Sequence, residues 1–448
     1  MGNRDERYRG DRPRRPRTEE PRPRNSRSGN SYGSRDERPR SSRSAGSYNG
    51  TSRARRVYPG EEERGRSYMD DSNRRGARER RELARRKKRK KKIILVVVEV
   101  ILLLLVAVAA FGFFYVKNLW DKVEKPTDFR REEIQTNENI PESVKQAKEK
   151  YTTILLFGVD SRSNKNLTSP GANADTDIIA CINNETKEVK LVSILRDSFF
   201  ETTEGKHDKL TDIYSKYGVK EAIQTINRNL DLTIDQYVTV NWKAVADTVN
   251  MMDGLDLELS SAEVKALNNY IDEVISVTGL DSVHVDVNDG YESDQVKDAD
   301  NLMYHLDGVQ VLTYARIRSV GHHDLTRAER QRTVIAAMMA KAKTLSLGEL
   351  EDICETIMPG ISTNLSLTDV LGLVLDVGDY TMGENTRIPF DQMYRDQEDK
   401  GPAYVYYYHL TDNVAKLHEF LYGTKNYAPT NTVQKISDYI DEYRQSHK

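Results

Sequence analysis

Charged residues that could do chemistry stand at the ends of three short apolar segments in the middle of the chain. The segments, residues 153–159, 178–182 and 189–194, are rich in Val, Ile and Leu, as buried strands are. The charged residues at their ends are Asp160, Arg162, Asp175, Asp177, Arg196 and Asp197. Ligands of open α/β sheets bind where loops leave the strand ends, so these charges are candidates for chemistry as well as for ordinary solvated turns. Asp160 and Asp175 could hold Mg²⁺, which takes one or two carboxylates plus phosphate oxygens.

A second charged cluster follows a predicted short helix. Arg316 and Arg318 stand at the end of this helix, and Arg327 and Gln331 share one face of the next helix because they are four residues apart. The fork of an arginine side chain matches two phosphate oxygens at once, so several arginines converging on a cleft indicate a phosphorylated ligand.

Asp324, at the start of the second helix, has two interpretations. It is either the N-cap of that helix or a general base beside cationic groups. Together the two clusters predict a site for a diphosphate, in which the carboxylates hold Mg²⁺ and the arginines neutralise the leaving group.

Strands that alternate with helices must position these residues. Apolar patterning predicts further strands at residues 237–241, 255–259, 386–390 and 403–410. It predicts helices at residues 218–230, 242–252, 262–277, 308–316, 326–345, 347–358, 367–376 and 413–421, and an exposed loop at 278–300. This alternation implies one α/β domain with a layered sheet. Cys181 and Cys354 are expected to be buried free thiols.

The first part of the chain differs from the rest in charge. Residues 1–92 carry 32 Lys and Arg against 14 Asp and Glu, although the net charge of the whole chain is −2. Residues 1–86 contain almost no Leu, Ile, Val or Phe, so they cannot bury enough apolar area to offset the entropy of ordering, and we expect a disordered tail. Such tails bind RNA or anionic lipid, or stay solvated near a membrane.

An apolar segment, residues 93–116, follows eight consecutive Lys and Arg residues. As a helix it is long enough to cross the roughly 30 Å of bilayer hydrocarbon, with Glu99 as the one charged residue within it. The cations predict a single-pass protein of the cell membrane, with a cytoplasmic N-terminus and the chain after about residue 117 outside. Because ATP is scarce outside the cell, the expected ligand is a membrane-borne polyprenyl diphosphate, and no nucleic-acid partner is expected.

Six motifs occur in an order that resembles the LytR–CpsA–Psr family. Within residues 150–422 they are G-V-D-S-R, A-D-T, S-I-L-R-D, D-K-L-T-D-I-Y-S-K-Y-G, L-D-G-V-Q-V-L-T-Y-A-R-I-R and R-A-E-R-Q. The resemblance implies one N-terminal transmembrane helix and an exterior α/β/α domain with a central mixed sheet. It also implies a phosphotransferase that moves a glycopolymer, such as teichoic acid or capsule, from an undecaprenyl-diphosphate carrier to peptidoglycan.

By motif position, the resemblance assigns a role to each charged residue. Asp160 and Asp175 are the Mg²⁺-associated carboxylates, and Asp324 is the base for the attacking hydroxyl. The pyrophosphate-binding residues are Arg162, Arg196, Arg316, Arg318, Arg327 and Gln331, of which Arg316 and Arg318 are also catalytic. The polyprenyl chain is expected in an apolar tunnel between sheet and helices. Asn173 and Leu195 depart from the Arg and Pro that many members carry at these positions.

Two other functions stay open from the sequence. A hydrolase would use the same cluster with water as the nucleophile, and a non-enzymatic cell-wall polymer binding or regulatory protein would use it to bind. The predicted organisation is a disordered cytoplasmic tail at residues 1–92, a transmembrane helix at 93–116, a connector at 117–150, a catalytic domain at 151–425 and a C-terminal polar helix or tail at 426–448.

Overall fold

The structure, a computed structural model, describes residues 61–126, 129–160, 167–168, 171–294, 296, 300–390, 394–397 and 404–446. Side chains are described for these residues except 61–73, 108, 109, 111, 113 and 394–397. The predicted tail up to residue 60, and Arg162 of the predicted site, lie outside the described residues.

Helix α1 runs from Glu61 to Trp120. The prediction of a disordered tail is therefore wrong for residues 61–92, which are helical. The last proline before the helix is Pro59, and strong helix formers follow it, with Glu82 and Arg86 at a favourable i, i+4 spacing. Among the residues with described side chains, no helix is both long enough and apolar enough to cross a membrane.

Helices and strands alternate through the rest of the described chain. The helices are α2 (Glu142–Lys150), α3 (Leu210–Leu230), α4 (Trp242–Met251), α5 (Ser261–Thr278), α6 (Gly308–Tyr314), α7 (Asp324–Ala342), α8 (Leu347–Ile357), α9 (Leu367–Leu375), α10 (Leu410–Tyr422) and α11 (Asn431–Ser446). The strands are β1 (Tyr151–Val159), β2 (Ala174–Asn183), β3 (Glu188–Ile194), β4 (Phe199–Glu201), β5 (His207–Lys209), β6 (Gln236–Asn241), β7 (Leu255–Ser260), β8 (Asn301–Leu306), β9 (Ile361–Thr363), β10 (Thr381–Ile388), β11 (Tyr394–Gln397) and β12 (Tyr404–Tyr407).

A six-stranded mixed sheet, in the order β10-β3-β2-β1-β6-β9, forms the centre of the domain. β1 pairs antiparallel with β2 and parallel with β6, and β3 pairs antiparallel with β2 and parallel with β10. The predicted α/β fold with a central mixed sheet is confirmed. Val159 pairs with both Ala174 and Asn241, so the end of β1, the start of β2 and the end of β6 meet at one edge of the sheet.

Helices cover both faces of this sheet. On one face α3, α10 and α11 bury their apolar sides against β1 and β3, and on the other face α7 packs near β2 and β3. Val433, Ile436 and Ile440 of α11 belong to the main core, although residues 426–448 are expected to be a polar helix or tail. α4, α5 and α6 form a second core with the small β7–β8 sheet.

Local features explain where the predicted elements differ from the observed ones. α3 begins at Leu210 rather than residue 218, and the two parts of the helix join across a kink at Gly218, whose φ of 82° favours glycine. β8 was not predicted, because its alternation is short and follows an acidic loop. Cys181 and Cys354 are free thiols, as predicted; Cys181 is buried, whereas Cys354 is only partly buried, so the prediction of burial is wrong for Cys354.

Gly308 permits the close approach of α6 to α4. A Cβ at this position would lie 1.9 Å from the carbonyl oxygen of Ala246, which is backbone and cannot move aside. The backbone nitrogen of Gly308 donates to Asn250 Oδ1 at 2.7 Å, and Asp307 caps the helix in a capping box with Gln310. This contact fixes the direction of α6 and of the arginines that follow it.

Candidate active site

An apolar cavity of about 600 Å³ lies between the central sheet and the helices α4 to α8. Leu156, Val238 and Val240 line the cavity on the side of the sheet. Its other apolar walls come from Trp242, Val245, Leu312, Val334, Ile335, Met338, Ile357 and Ile361. A concave, apolar shape with a few polar groups is typical of a ligand site.

Charged and polar residues from four separate places in the fold line the same cavity. Asp175 lies on β2 and Arg196 follows β3. Arg316 and Arg318 follow α6, and Arg327 and Gln331 lie on α7. The set is Asp175, Arg196, Arg316, Arg318, Arg327 and Gln331. The structure therefore brings together six of the residues that the sequence singled out. Arg327 and Gln331 both line the cavity, as their spacing predicts.

Arg196 is held at the edge of the sheet by two carboxylates. Its Nη1 donates to Asp175 Oδ1, and its Nε lies 3.6 Å from Asp197 Oδ1. Lys209 Nζ lies 3.2 Å from the same Asp197 oxygen. Asp197 lies two residues before β4 and Lys209 is the last residue of β5, so the pairing of β4 with β5 places this ion pair beside Arg196.

Arg327 is the most deeply buried of these arginines. Burial lowers its pKa to about 10, while the carboxylate of Asp324 opposes the shift. Its Nη2 lies 3.0 Å from Asp324 Oδ1 and donates to the Asp175 carbonyl at 3.4 Å. Arg318 Nε lies 3.2 Å from the same Asp324 oxygen, so one carboxylate joins two arginines.

Asp324 is the first residue of α7, and the N-cap is His323, whose φ is 48° and whose side chain makes no capping bond. The interpretation of Asp324 as the N-cap is therefore wrong. Its carboxylate is paired with Arg318 and Arg327 rather than with the helix backbone.

Three guanidinium nitrogens in this cluster are buried without a hydrogen-bond acceptor among the described residues: Arg196 Nε, Arg316 Nη1 and Arg327 Nε. A buried N–H without an acceptor costs about 1–3 kcal/mol. Phosphate oxygens are suitable acceptors for such nitrogens, so the cluster is suited to a phosphorylated ligand.

Asp160 follows β1 and is exposed, and its backbone nitrogen donates to the Asn173 carbonyl at 3.1 Å, next to the start of β2. Asp160 and Asp175 therefore extend from neighbouring strands of the antiparallel pair. Among the described residues no group of three or more His, Cys, Asp or Glu side chains is placed to hold a metal ion. Mg²⁺ needs fewer protein ligands than such a group supplies, since it keeps several waters and binds one or two carboxylates plus phosphates.

The structure adds two functional candidates that the sequence did not single out, Trp242 and Glu273, and it shows the surroundings of Asp177, which the sequence did name. Trp242 is the first residue of α4, and the centre of its ring lies 3.8 Å from the guanidinium carbon of Arg316, while Glu273 Oε1 lies 3.2 Å from Arg316 Nη2. Asp177 is buried, and both carboxylate oxygens lack hydrogen-bond partners among the described residues. Burial, and then the charge of Asp175, raise the pKa of Asp177 well above its ordinary value. The sequence placed Asp177 at a strand end, and the structure shows that it is buried within β2.

Comparisons with known proteins agree with the motifs. The model of the LytR_cpsA_psr family matches residues 113–421. The polyisoprenyl-teichoic acid–peptidoglycan teichoic acid transferase TagT of Bacillus subtilis (strain 168) is 29% identical over 269 residues, 60% of this chain and 74% of that protein. The transferase TagU of Enterococcus faecalis (strain ATCC 700802 / V583) is 28% identical over 263 residues, 58% of this chain and 76% of that protein.

A solved structure of the LytR-CPS2A-psr family protein YwtF (TagT) with bound octaprenyl pyrophosphate lipid is 23% identical, with a TM-score of 0.43, and the match covers 62% of this chain and 92% of that chain. The family model extends over most of the chain, from the end of α1 to α10. The chain belongs to the LytR_cpsA_psr family.

Proposed function

We propose that the chain is a membrane-anchored phosphotransferase that moves a glycopolymer from a polyprenyl-diphosphate carrier to peptidoglycan. The observation that carries the proposal is the junction of an apolar cavity with arginines from β3, α6 and α7. A polyprenyl diphosphate has the same two parts, an apolar chain and a doubly charged head. The relatives TagT and TagU are named as teichoic acid transferases, which supports this substrate class.

In the proposed reaction, a hydroxyl of peptidoglycan attacks the phosphate that carries the polymer. The bond between that phosphorus and the bridging oxygen breaks, and prenyl phosphate leaves with the electron pair. Arg196, Arg316 and Arg327 line the cavity where this charge would develop, and each has a buried N–H group without a hydrogen-bond acceptor among the described residues. Donors oriented before the reaction stabilise developing charge without reorganising, which is the main source of rate in phosphoryl transfer.

Asp324 is the proposed base. Its Oδ1 is ion-paired with Arg318 and Arg327, so Oδ2 is the oxygen that would accept the proton of the attacking hydroxyl. The two arginines orient the carboxylate and connect it to the phosphate site.

Asp160 and Asp175 are the proposed Mg²⁺ ligands. The ion would supply positive charge at the diphosphate. The ion pair between Arg196 and Asp175 places this carboxylate beside the arginines whether or not the ion is bound.

The second half of α1 is the proposed membrane anchor. Its described apolar side chains are largely exposed, with Leu103 at 63% and Phe114 at 67%, as expected of a helix covered by lipid. A membrane-impermeant maleimide added to intact cells is expected to label a cysteine placed at Lys117 and not one placed at Arg85. Labelling at Arg85 alone would reverse the proposed orientation.

The function is tested with the purified full-length chain, Mg²⁺, an undecaprenyl-diphosphate oligosaccharide and nascent peptidoglycan. Mass spectrometry should detect oligosaccharide joined to the glycan through a phosphate, and Arg316→Ala should lower this product on the order of 10²-fold. Release of sugar phosphate without attachment would identify a hydrolase. Tight binding of the donor without turnover would identify a binding or regulatory protein.

A further inference from the structure

A second, polar pocket of about 510 Å³ lies on the opposite face of α7 from the apolar cavity. Residues 325, 326, 329 and 332 of α7 line this pocket, whereas residues 327, 331, 334, 335 and 338 line the cavity. At 3.6 residues per turn, these two sets point in opposite directions. The pocket lining is His322, Leu325, Thr326, Glu329, Arg332, Asn385, Thr386 and Arg387, and none of these residues lines the cavity.

Arg332 is buried in this pocket without a counter-ion. It is 6% exposed, and its Nε donates to Asn385 Oδ1 at 3.0 Å. Its Nη1 donates to Ser193 Oγ at 2.8 Å and to the Ala328 carbonyl at 3.1 Å. All of these acceptors are neutral, and within the described part of the chain no carboxylate lies within ion-pairing distance of Arg332.

Arg330, also on α7, has the ion pair that Arg332 lacks among the residues that the structure describes. Arg330 is buried too, but its Nη2 lies 2.8 Å from Glu263 Oε1. Buried charges in proteins are normally paired, because desolvation of an isolated charge costs several kcal/mol. Nη2 of Arg332 has no hydrogen-bond acceptor among the described residues, so this nitrogen is available to an anion in the pocket.

A second guanidinium lines the same pocket. It belongs to Arg387 and donates to the Pro389 carbonyl at 2.6 Å. Burial lowers the pKa of Arg332 to about 10; the carboxylate of Glu329 opposes this shift, and the charge of Arg387 adds to it. With a pKa of about 10, Arg332 remains charged near neutral pH, and Arg387 adds positive charge to the same pocket.

We propose that this pocket binds a phosphodiester of the polymer carried by the donor, as a second subsite beside the diphosphate site. The inference rests on the proposed function and narrows its substrate to polymers that contain phosphate. Position supports it, because Thr326 of the pocket is two residues from Asp324 of the candidate active site. A polymer that leaves the diphosphate around the start of α7 reaches the pocket within one helical turn.

Binding is tested by calorimetry on the full-length chain in detergent, with a soluble glycerol phosphate oligomer as the probe. Farnesyl diphosphate is added in excess to occupy the main site. The oligomer should still bind, and Arg332→Gln and Arg387→Gln should each weaken it on the order of ten-fold, as expected for a lost charge-assisted hydrogen bond. Ser193→Ala is the matched control, since it removes a hydrogen bond of Arg332 and keeps the cation, and it should leave the affinity within about three-fold.

Three outcomes would overturn the subsite. The first is displacement of the oligomer by farnesyl diphosphate, which would show that the oligomer binds in the main site. The second is unchanged affinity in both arginine variants. The third is equally tight binding of inorganic phosphate, which would make the pocket a site for a free anion rather than for a polymer. Thermal unfolding of each variant identifies any loss of binding that comes from misfolding.

A transfer assay separates this inference from the proposed function. Arg332→Gln should raise KM for a donor whose polymer contains phosphodiesters and leave KM for a neutral oligosaccharide donor unchanged. An equal rise for both donors would reject the subsite while the transferase function stands. Absence of transfer in the parent would reject the proposed function, and the calorimetry would still decide whether the pocket binds a phosphodiester.

Discussion

The guanidinium carbon of Arg316 lies 3.8 Å from the centre of the Trp242 ring. Trp242 is buried at the start of α4, directly after β6, so the stack ties an arginine beyond α6 to an edge of the central sheet. Arg316 is also paired with Glu273, but that carboxylate is 58% exposed and solvent screens the pair. Trp242 therefore does more than Glu273 to fix the position of Arg316.

Trp242→Leu should lower kcat/KM for transfer because Arg316 loses its support. A cation–π contact of this kind is worth about 0.5–2 kcal/mol, which corresponds to a loss of roughly 2–30-fold. Trp242→Phe should lose less, since it keeps a ring, and Glu273→Gln should change the rate by less than about two-fold. A larger loss in Glu273→Gln than in Trp242→Leu would show that the ion pair positions Arg316.

Two buried arginines on α7 should respond differently to substitution. Arg327→Lys should lower kcat/KM on the order of 10²-fold, because an ammonium group does not reproduce the fork that contacts Asp324 and faces the cavity. Arg330→Met should instead lower the free energy of unfolding by about 3–5 kcal/mol, because Glu263 is left buried without its partner. Steady-state kinetics and denaturant unfolding on both variants check the contrast. A catalytic loss in folded Arg330→Met as large as that of Arg327→Lys would contradict it.

The sequence could predict the site where local patterns determine position. Asp160 and Arg196 follow apolar strands, and the sheet brings those strand ends to one edge. Arg327 and Gln331 share a helix face at any orientation of that helix, because their spacing is four residues. The positions of these residues could be predicted once the strands, the helices and the order of strands in the sheet were correct.

Other residues depend on tertiary contacts that local patterns do not contain. Trp242 at the start of a helix looks like an ordinary core residue, and its role appears only when α6 brings Arg316 against it. Leu156 and Val238 line the cavity, but they alternate along their strands as core residues do. The burial of Asp177 follows from its pairing with Phe157 and Ile194 in neighbouring strands, which the sequence alone does not reveal.

His418 should make the protein less stable in acid. Burial lowers its pKa to about 4 from an ordinary 6.5, and the hydrogen bond to the Leu230 carbonyl opposes this shift. Nε2 lies 3.0 Å from that carbonyl, while the buried Nδ1 has no partner among the described residues, so a second proton has no acceptor. The unfolded state then binds the proton more tightly. The contribution of neutral His418 to the free energy of unfolding is therefore complete above pH 6.5, and it is lost as the pH falls to about 4.

The size of this effect is about 3 kcal/mol over that pH range. His418→Gln is the matched variant, since its amide can donate to Leu230 and does not titrate. Denaturant unfolding at a series of pH values should show the parent losing more stability than the variant as the pH falls. Parallel curves for the two proteins would mean that His418 is not the titrating group.

Two glycine-to-alanine changes should have opposite effects on stability. Gly308→Ala places a Cβ 1.9 Å from the Ala246 carbonyl oxygen, so α6 must move away from α4. The expected result is a loss of stability of about 1–3 kcal/mol, as for other overpacked sites, together with lower transfer activity. Gly372 lies in α9 with no atom within 4 Å of an added Cβ, so Gly372→Ala should raise stability by about 0.5–1 kcal/mol. Unfolding midpoints measure both changes.

Val245→Phe should shorten the lipid that the cavity accepts. Val245 lines the cavity from α4, and a larger side chain there removes space for part of a polyprenyl chain. Excluding two carbons costs about 1.6 kcal/mol, at about 0.8 kcal/mol per buried CH₂, so KM for an undecaprenyl donor should rise on the order of ten-fold. A farnesyl donor, which needs less space, should keep its KM. Val249→Phe, one turn further along α4 in the core, should lower stability and leave the dependence on chain length unchanged. If Val245→Phe raised KM equally for both donors, the prenyl chain would lie outside the cavity, and the apolar walls would serve only to pack the domain.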